Sequence, residues 1–341
     1  MSAGARYLLW YAAFTVSGAL LLALLVCLVD PLWYWGGNKF GGPNYAFNER
    51  LSKSIDLGAR EKLPSCLVLG SSLATMLRPS HLPIEDCYNF AFSDGRIEDF
   101  LEFGRYHEGV GIRPAKIIVG VDFDFRPKRD AIVPQFVTRG GPPPTALQSY
   151  LSHGSVLFSL RTVAGLSPMP RYYDHALEIA LLEDRPTYVP PACRKPPARP
   201  VPPARTLRYG ELLAYYAGAE SIGVVLPVSA WVFARQLPSR REIGQYAETM
   251  KEVSRDFDRF FDFSVPSHTT RNSALTYDGV HYLADVNENL LRRALAREDR
   301  AGLEVTALAV NDYAAKLDAA RATFLAEEEF GPCPETSPGS S

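Results

Sequence analysis

The chain of 341 residues lacks the marks of several function classes. Its five cysteines, at 27, 66, 87, 193 and 333, form no C-x-x-C pair, which argues against a zinc site of the usual spacing. Five of the six histidines (His81, His107, His153, His175 and His268) show no i, i+3 or i, i+4 partner, and none stands near the carboxylate pair Asp122 and Asp124, so no metal centre is expected. The 36 Lys and Arg residues against 38 Asp and Glu leave a net charge of −2, and the basic residues are scattered, which excludes the electrostatic footprint of a nucleic-acid binder. The loop after the first expected strand, Gly70-Ser71-Ser72, holds one glycine, too few for a phosphate-cradling loop.

One further absence is informative: no charged residue occurs between 7 and 29, a run of 23 positions. About 20 apolar residues suffice for a helix to cross the hydrocarbon core. Trp10 and Tyr11 near one end, and Trp33, Tyr34 and Trp35 beyond the other, suit the two interfacial belts. A cleaved signal peptide is the rival reading. The run exceeds the usual h-region, no A-x-A site follows it, and Val26 before Cys27 spoils a lipoprotein signal, so a retained anchor is favoured. Arg6 ahead of the run and Asp30 behind it place residues 1–6 in the cytoplasm, 7–29 in the membrane and the body outside.

Glycines at 36, 37, 41 and 42 mark residues 30–61 as a juxtamembrane linker. Short apolar runs then alternate with helical patterns. Residues 66–69 and 87–92 are two such runs, 97–107 has a helix-like apolar face, and 116–121 (KIIVGV) reads as a strand buried on both faces. Residues 127–205 break the rhythm with prolines at 142–144, a helix over 146–163 and a proline-dense run at 190–203, and are expected to be an insertion. The alternation resumes with a helix at 207–219, a strand at 222–228, a helix at 241–260, a strand at 261–265 and a helix at 286–297. A C-terminal helix over 301–329 and a disordered tail over 330–341 complete the chain. This pattern predicts an α/β domain over 62–300, a parallel sheet with helices on both faces in three layers. Cys66 and Cys87 fall in two strands that could be neighbours; buried thiols are favoured over a disulfide.

In such sheets ligands bind at the carboxyl ends of the strands, where Gly70-Ser71-Ser72, the loop after Phe92, and Asp122 should all lie. Ser72 is expected to lead into a helix over 73–77, whose N-terminal N–H groups favour an oxyanion. A serine hydroxyl needs a base, and His281 is the best candidate; Asp278, three residues earlier, can orient it. Gly-Ser-Ser is also a common turn, and Asp278-Gly279 a plain turn signal. The order favours chemistry: the serine follows the first strand and D-x-x-H the last.

These blocks resemble those of the SGNH (GDSL-like) hydrolase superfamily. The Gly-Asp-Ser block appears as Gly70-Ser71-Ser72, the Asn-x-Gly-x-x-Gly block as Asn89 with a displaced Gly95, and the Gly-x-Asn-Asp block as Gly120-Val121-Asp122-Phe123. Asp278-Gly279-Val280-His281 matches the last block in full. The resemblance implies a triad of Ser72, His281 and Asp278, with Gly70, Asn89, Ser93, Gly95 and Asp122 around the oxyanion and substrate, and no cofactor. Where the family has an asparagine, this chain has Asp122, whose carboxylate would repel an oxyanion unless protonated. One anchor plus such a domain is similar to bacterial alginate O-acetylation and teichoic-acid D-alanylation proteins. That implies a serine acyltransferase or esterase in the periplasm, held by the cytoplasmic membrane. Its partners would be a cell-surface polysaccharide or wall polymer and an integral-membrane acyl donor. The alternative is a catalytically silent glycan-binding or scaffold subunit.

Overall fold

Ser2 accepts a hydrogen bond from the Ala5 N–H and opens helix α1 (Ala3–Val29), whose only charge is Arg6. The computed structural model describes residues 2–123, 128–195, 199–298 and 302–333. Asn48 caps α2 (Glu49–Ala59). Then come β1 (Cys66–Leu69), β2 (Cys87–Asn89), α3 (Ile97–Gly109) and β3 (Lys116–Gly120). Three short helices, α4 (Gln135–Arg139), α5 (Ala146–Tyr150) and α6 (His153–Val163), precede a hairpin of β4 (Arg171–Tyr173) and β5 (Ile179–Leu181). The remainder runs α7 (Tyr209–Ala214), β6 (Glu220–Val225), α8 (Ala230–Gln236), α9 (Arg240–Val253) and β7 (Arg259–Asp262). It closes with α10 (His268–Arg271), α11 (Ala284–Leu295), β8 (Leu303–Glu304) and α12 (Val310–Glu327).

The chain divides into two compact units. One joins the N-terminal residues through Lys62 to Pro134–Asp184; the other joins Leu63–Val133 to the described residues from Arg185 onward. Two expectations are corrected here. Residues 30–61 are folded rather than a linker. The Asp30 carboxylate accepts the N–H groups of Tyr34, Trp35 and Gly37 at 2.9, 2.8 and 2.7 Å, and the Tyr150 hydroxyl. Ile55 and Leu51 of α2 pack with Val26, Leu32 and Tyr150. The glycines that read as a linker serve tight turns instead: Gly36 and Gly37 take φ of 84° and 83°. The 127–205 insertion is divided: 134–184 completes the N-terminal unit, because Tyr150 and Val156 fill its apolar cluster, and residues from 185 join the sheet unit. The helix expected over 146–163 is two, since the Ser152 hydroxyl caps α6 through the Ser155 N–H at 3.2 Å.

In the larger unit the six strands lie in the order β2-β1-β3-β6-β7-β8, parallel except for β8. All four residues of β1 are buried, as are Ile117–Val119 of β3, so these strands are covered on both faces. One face packs Val68, Ile118, Ile222, Val224 and Phe261 against Leu290, Leu291 and Ala294 of α11. Burying an aliphatic side chain of this size contributes about 1.5–3 kcal/mol. The chain leaves β1 in one direction to β2 and in the other to β3, so the order reverses between β1 and β3, the crevice where parallel sheets take ligands.

Cys66 and Cys87 are bonded, which corrects the expectation of free thiols. The β1–β2 register sets them opposite each other with Cα atoms 4.2 Å apart, and register is not legible from spacing. Cys193 pairs with Cys333, and Cys27 is free. Residues 330–333, expected in a disordered tail, are therefore held; Phe330 packs with Phe324, Ala230 and Ala234. The rest of that tail, 334–341, lies outside the described residues, as do Asp124, Arg126 and residues 196–198 of the proline-dense run.

Candidate active site

The site begins with three small residues. Gly70 closes β1 with φ 147°, and a Cβ there would stand 2.7 Å from the Ala74 Cβ and 3.1 Å from the Gly120 backbone. A Cβ on Gly120 would likewise meet Ala74 at 2.9 Å. Glycine at both strand ends lets the chain turn sharply and seat Ala74 between them. Beyond the turn runs a three-residue 3-10 helix, Ala74–Met76, not the longer helix expected over 73–77. Pro79 disfavours a helical Arg78, which is extended at ψ 117°. The Asn89 amide at the end of β2 binds the Ala74 and Leu77 carbonyls at 2.8 and 2.6 Å and holds the turn.

Ser72 lies in this turn, 8% exposed, with its hydroxyl 2.8 Å from Nε2 of His281. His281 Nδ1 is 2.6 Å from Asp278 Oδ2. The other Asp278 oxygen accepts the Val280 and His281 N–H groups at 3.0 and 2.8 Å. Burial raises the Asp278 carboxyl, but its hydrogen bond and charge interaction with His281 and these backbone donors outweigh it and hold the group below the ordinary carboxylate range. Ionised, Asp278 only accepts, so Nδ1 carries the proton and Nε2 is left to receive the Ser72 hydroxyl proton.

The loop that presents Asp278 and His281 is braced from within. Thr276 and Tyr282 form a β-bridge, and the Thr276 hydroxyl donates to the His281 carbonyl at 2.9 Å and accepts the Gly279 N–H at 3.0 Å. Tyr277 lies flat against the His281 ring, centroids 5.3 Å apart and planes within 3°. Gly279, at φ 89°, sits where a Cβ would stand 2.7 Å from the Tyr188 ring. The serine turn is also tied to the helix that follows His281: Arg78 forks onto Glu288 of α11 at 2.6 and 2.9 Å. Nothing local in the sequence pairs two residues 210 positions apart. Thr276 and Tyr277 stand next to the D-x-x-H block, and the need to fix the base was their only signal.

The expected oxyanion residues are placed differently. Gly95 spends its N–H on the Phe92 carbonyl at 3.0 Å, and a Cβ there would meet the Phe100 ring and the Gly70 carbonyl at 2.9 and 3.0 Å. It is a close-packing glycine, not a donor to a substrate oxygen. Asn89 braces the turn, as does Gly70 through its backbone shape. Ser93 lies in the turn closed by that Phe92–Gly95 bond. The Asp122 carboxylate accepts the Ser71 hydroxyl, and the Asp122 backbone meets the hydroxyl of half-buried Tyr209. The site thus holds a serine hydroxyl hydrogen-bonded to an imidazole that is itself hydrogen-bonded to a carboxylate, beside a second carboxylate where the resemblance expects an amide.

Asp122 also stands in the wall of a cavity of about 630 Å³. Arg96, Lys128 and Arg199 bring positive charge to it, Glu98 negative charge, and Tyr209 and the prolines 200, 202 and 203 an apolar wall. Pro203, at the end of the proline-dense segment, is extended at φ −63° and ψ 140°, and the Thr249 hydroxyl holds the Pro202 carbonyl at 2.9 Å. Among the described residues, no three His, Cys, Asp or Glu side chains gather as a metal site. Comparison with protein-family models, with curated proteins and with solved structures finds no match to this chain.

Proposed function

We propose that the chain is a membrane-anchored serine acyltransferase or esterase of the SGNH (GDSL-like) type, acting on O-acyl groups of a cell-surface polysaccharide. The observation that carries the reading is the hydrogen-bonded series Ser72–His281–Asp278 at the carboxyl ends of parallel strands. Ser72 Oγ attacks the acyl carbonyl carbon while its proton passes to His281 Nε2. The tetrahedral adduct expels the donor oxygen, which takes that proton from His281, and an acyl-serine remains. A sugar hydroxyl or water then attacks the acyl-serine; His281 accepts its proton and returns it to Ser72. The cavity beside Asp122 is the place for the sugar, whose hydroxyl and anionic groups suit its mixed polar wall. In this reading the sheet is the centre of a three-layer domain.

Two disulfides support an oxidising compartment, outside the cytoplasm. Val26 and Val29 are fully buried, so the last turn of α1 is part of the folded N-terminal unit. That supports a retained anchor over a cleaved signal, since cleavage there would remove core residues. An integral-membrane acyl donor completes the reaction if transfer is the outcome.

A second reading is a silent glycan-binding or scaffold subunit. The Asp122 carboxylate and the spent Gly95 N–H favour it, because neither stabilises an oxyanion. The two readings separate when the full chain in detergent is incubated with an O-acetylated polysaccharide. Acetate release or transfer that Ser72→Ala abolishes supports the enzyme. Glycan binding that Ser72→Ala leaves intact, with no acetate moved by either protein, sinks the enzyme reading and supports the scaffold.

A further inference from the structure

Helix α6 is inside out. Its inward face carries the hydroxyl residues Ser155, Ser159 and Thr162, all buried. Its outward face carries Leu157, Leu160 and Val163, which are 45%, 47% and 60% exposed. A helix against a protein core shows the reverse pattern in water. The inward serines need no solvent: Ser155 Oγ donates to the Ser149 carbonyl at 2.8 Å and Ser159 Oγ to the Ser155 carbonyl at 2.9 Å. What they supply is smallness, at the S-x-x-x-S spacing that brings helix backbones close within membranes.

Helix α6 packs against α1 in the same unit, and its Val156 joins Val26 of α1 in one apolar cluster. Every side chain of α1 from Arg6 through Leu22 is exposed, and its burial begins only as it enters the unit, with Val26 and Val29 full members of the core. The outward leucines of α6 and the bare apolar surface of α1 thus belong to two helices in contact within one unit. Leu151 and Leu166, 72% and 61% exposed, extend the patch beyond both ends of α6. Among the described residues of the sheet unit, the exposed large apolar side chains are four scattered ones, Leu63, Val110, Ile132 and Val189.

We propose that α6 and its flanking turns are seated in the lipid bilayer, as a second, monotopic contact beside the α1 span. This rests on the anchor part of the proposed function. At 1.5 Å per residue the 11 residues of α6 reach about 16 Å, too short to cross a core about 30 Å thick, so the helix lies at the interface. Exposed Arg161 in its last turn is long enough to turn its charge back to the headgroups.

The test uses the full chain with Cys27→Ala, which leaves the two disulfides and no other thiol. An environment-sensitive NBD label is attached through Leu160→Cys or Val163→Cys on α6. Phe14→Cys on α1 and Val110→Cys in the sheet unit serve as references. Each protein is reconstituted into phosphatidylcholine–phosphatidylglycerol vesicles. The proposal predicts that labels at 160 and 163 emit to the blue of the label at 110, lose access to iodide, and are quenched by lipids with a shallow nitroxide. Iodide access at both 160 and 163, with the label at 14 in lipid, overturns the proposal, leaves the anchor standing and points to a protein on this face. Iodide access at 14 as well overturns both.

Discussion

In the proposed reaction, Asp278 decides how His281 works. Its carboxylate accepts from Nδ1 and from two backbone N–H groups, so replacing it with an amide reverses one donor and favours the wrong imidazole tautomer. Asp278→Asn should keep the fold and lower turnover on the order of 10⁴-fold, read as kcat on an aryl ester or as the rate of active-site labelling. The depressed carboxyl also has a pH consequence. An acid whose folded pKa lies below its unfolded value stabilises the fold above the unfolded value, about 3.9, and loses that contribution as pH falls through the folded one. Asp278 therefore stays charged above about pH 4, and no loss of activity between pH 5 and 8 belongs to its protonation. At this scale the serine and the D-x-x-H pair were legible because each stands beside a strand end or a turn. Asn89 and Gly95 were legible as marked positions but not in their roles, since an amide clamping a turn and a glycine against Phe100 depend on three-dimensional neighbours.

Strand and helix alternation was legible as elements, because β1 and β3 are nearly continuous apolar runs and α9 and α11 have clean helical faces. Register was not, which is why the Cys66–Cys87 bond escaped, and neither was the way 134–184 returns to the N-terminal unit. Helix α2 holds the least expected feature of that unit. Lys53 is buried, and burial pushes its amine down to about 7, against the pull of Glu49 and with the help of Arg171. An unfolded lysine titrates near 10.4, so between about pH 7 and 10.4 the unfolded chain binds more protons than the folded one. The stability of this unit should accordingly rise with pH across that window, and Lys53→Met should flatten the slope. A thermal melt of the full chain against pH reads it; an unchanged slope in Lys53→Met contradicts the assignment.

Across the whole molecule, the two units draw on distant parts of the chain, and a disulfide secures the last described residues. Cys193 and Cys333 are 140 positions apart, so their bond restricts a long loop of the unfolded chain. Cys333→Ser should cost about 2–5 kcal/mol of stability and release the segment that carries Phe330 from Phe324, seen as early proteolysis after α12. The α/β character and the single long apolar helix were legible from composition and periodicity alone. The two-unit division was not, because the contacts that define it join residues more than a hundred positions apart, as Asp30 and Tyr150 do.

The central claim is that Ser72 is an activated nucleophile, and reaction of the full chain in detergent with a fluorophosphonate probe tests it most directly. The account predicts covalent labelling at Ser72 that vanishes in Ser72→Ala and His281→Ala, with both variants folded. A folded wild-type chain that takes no label, or takes it equally in Ser72→Ala, contradicts it.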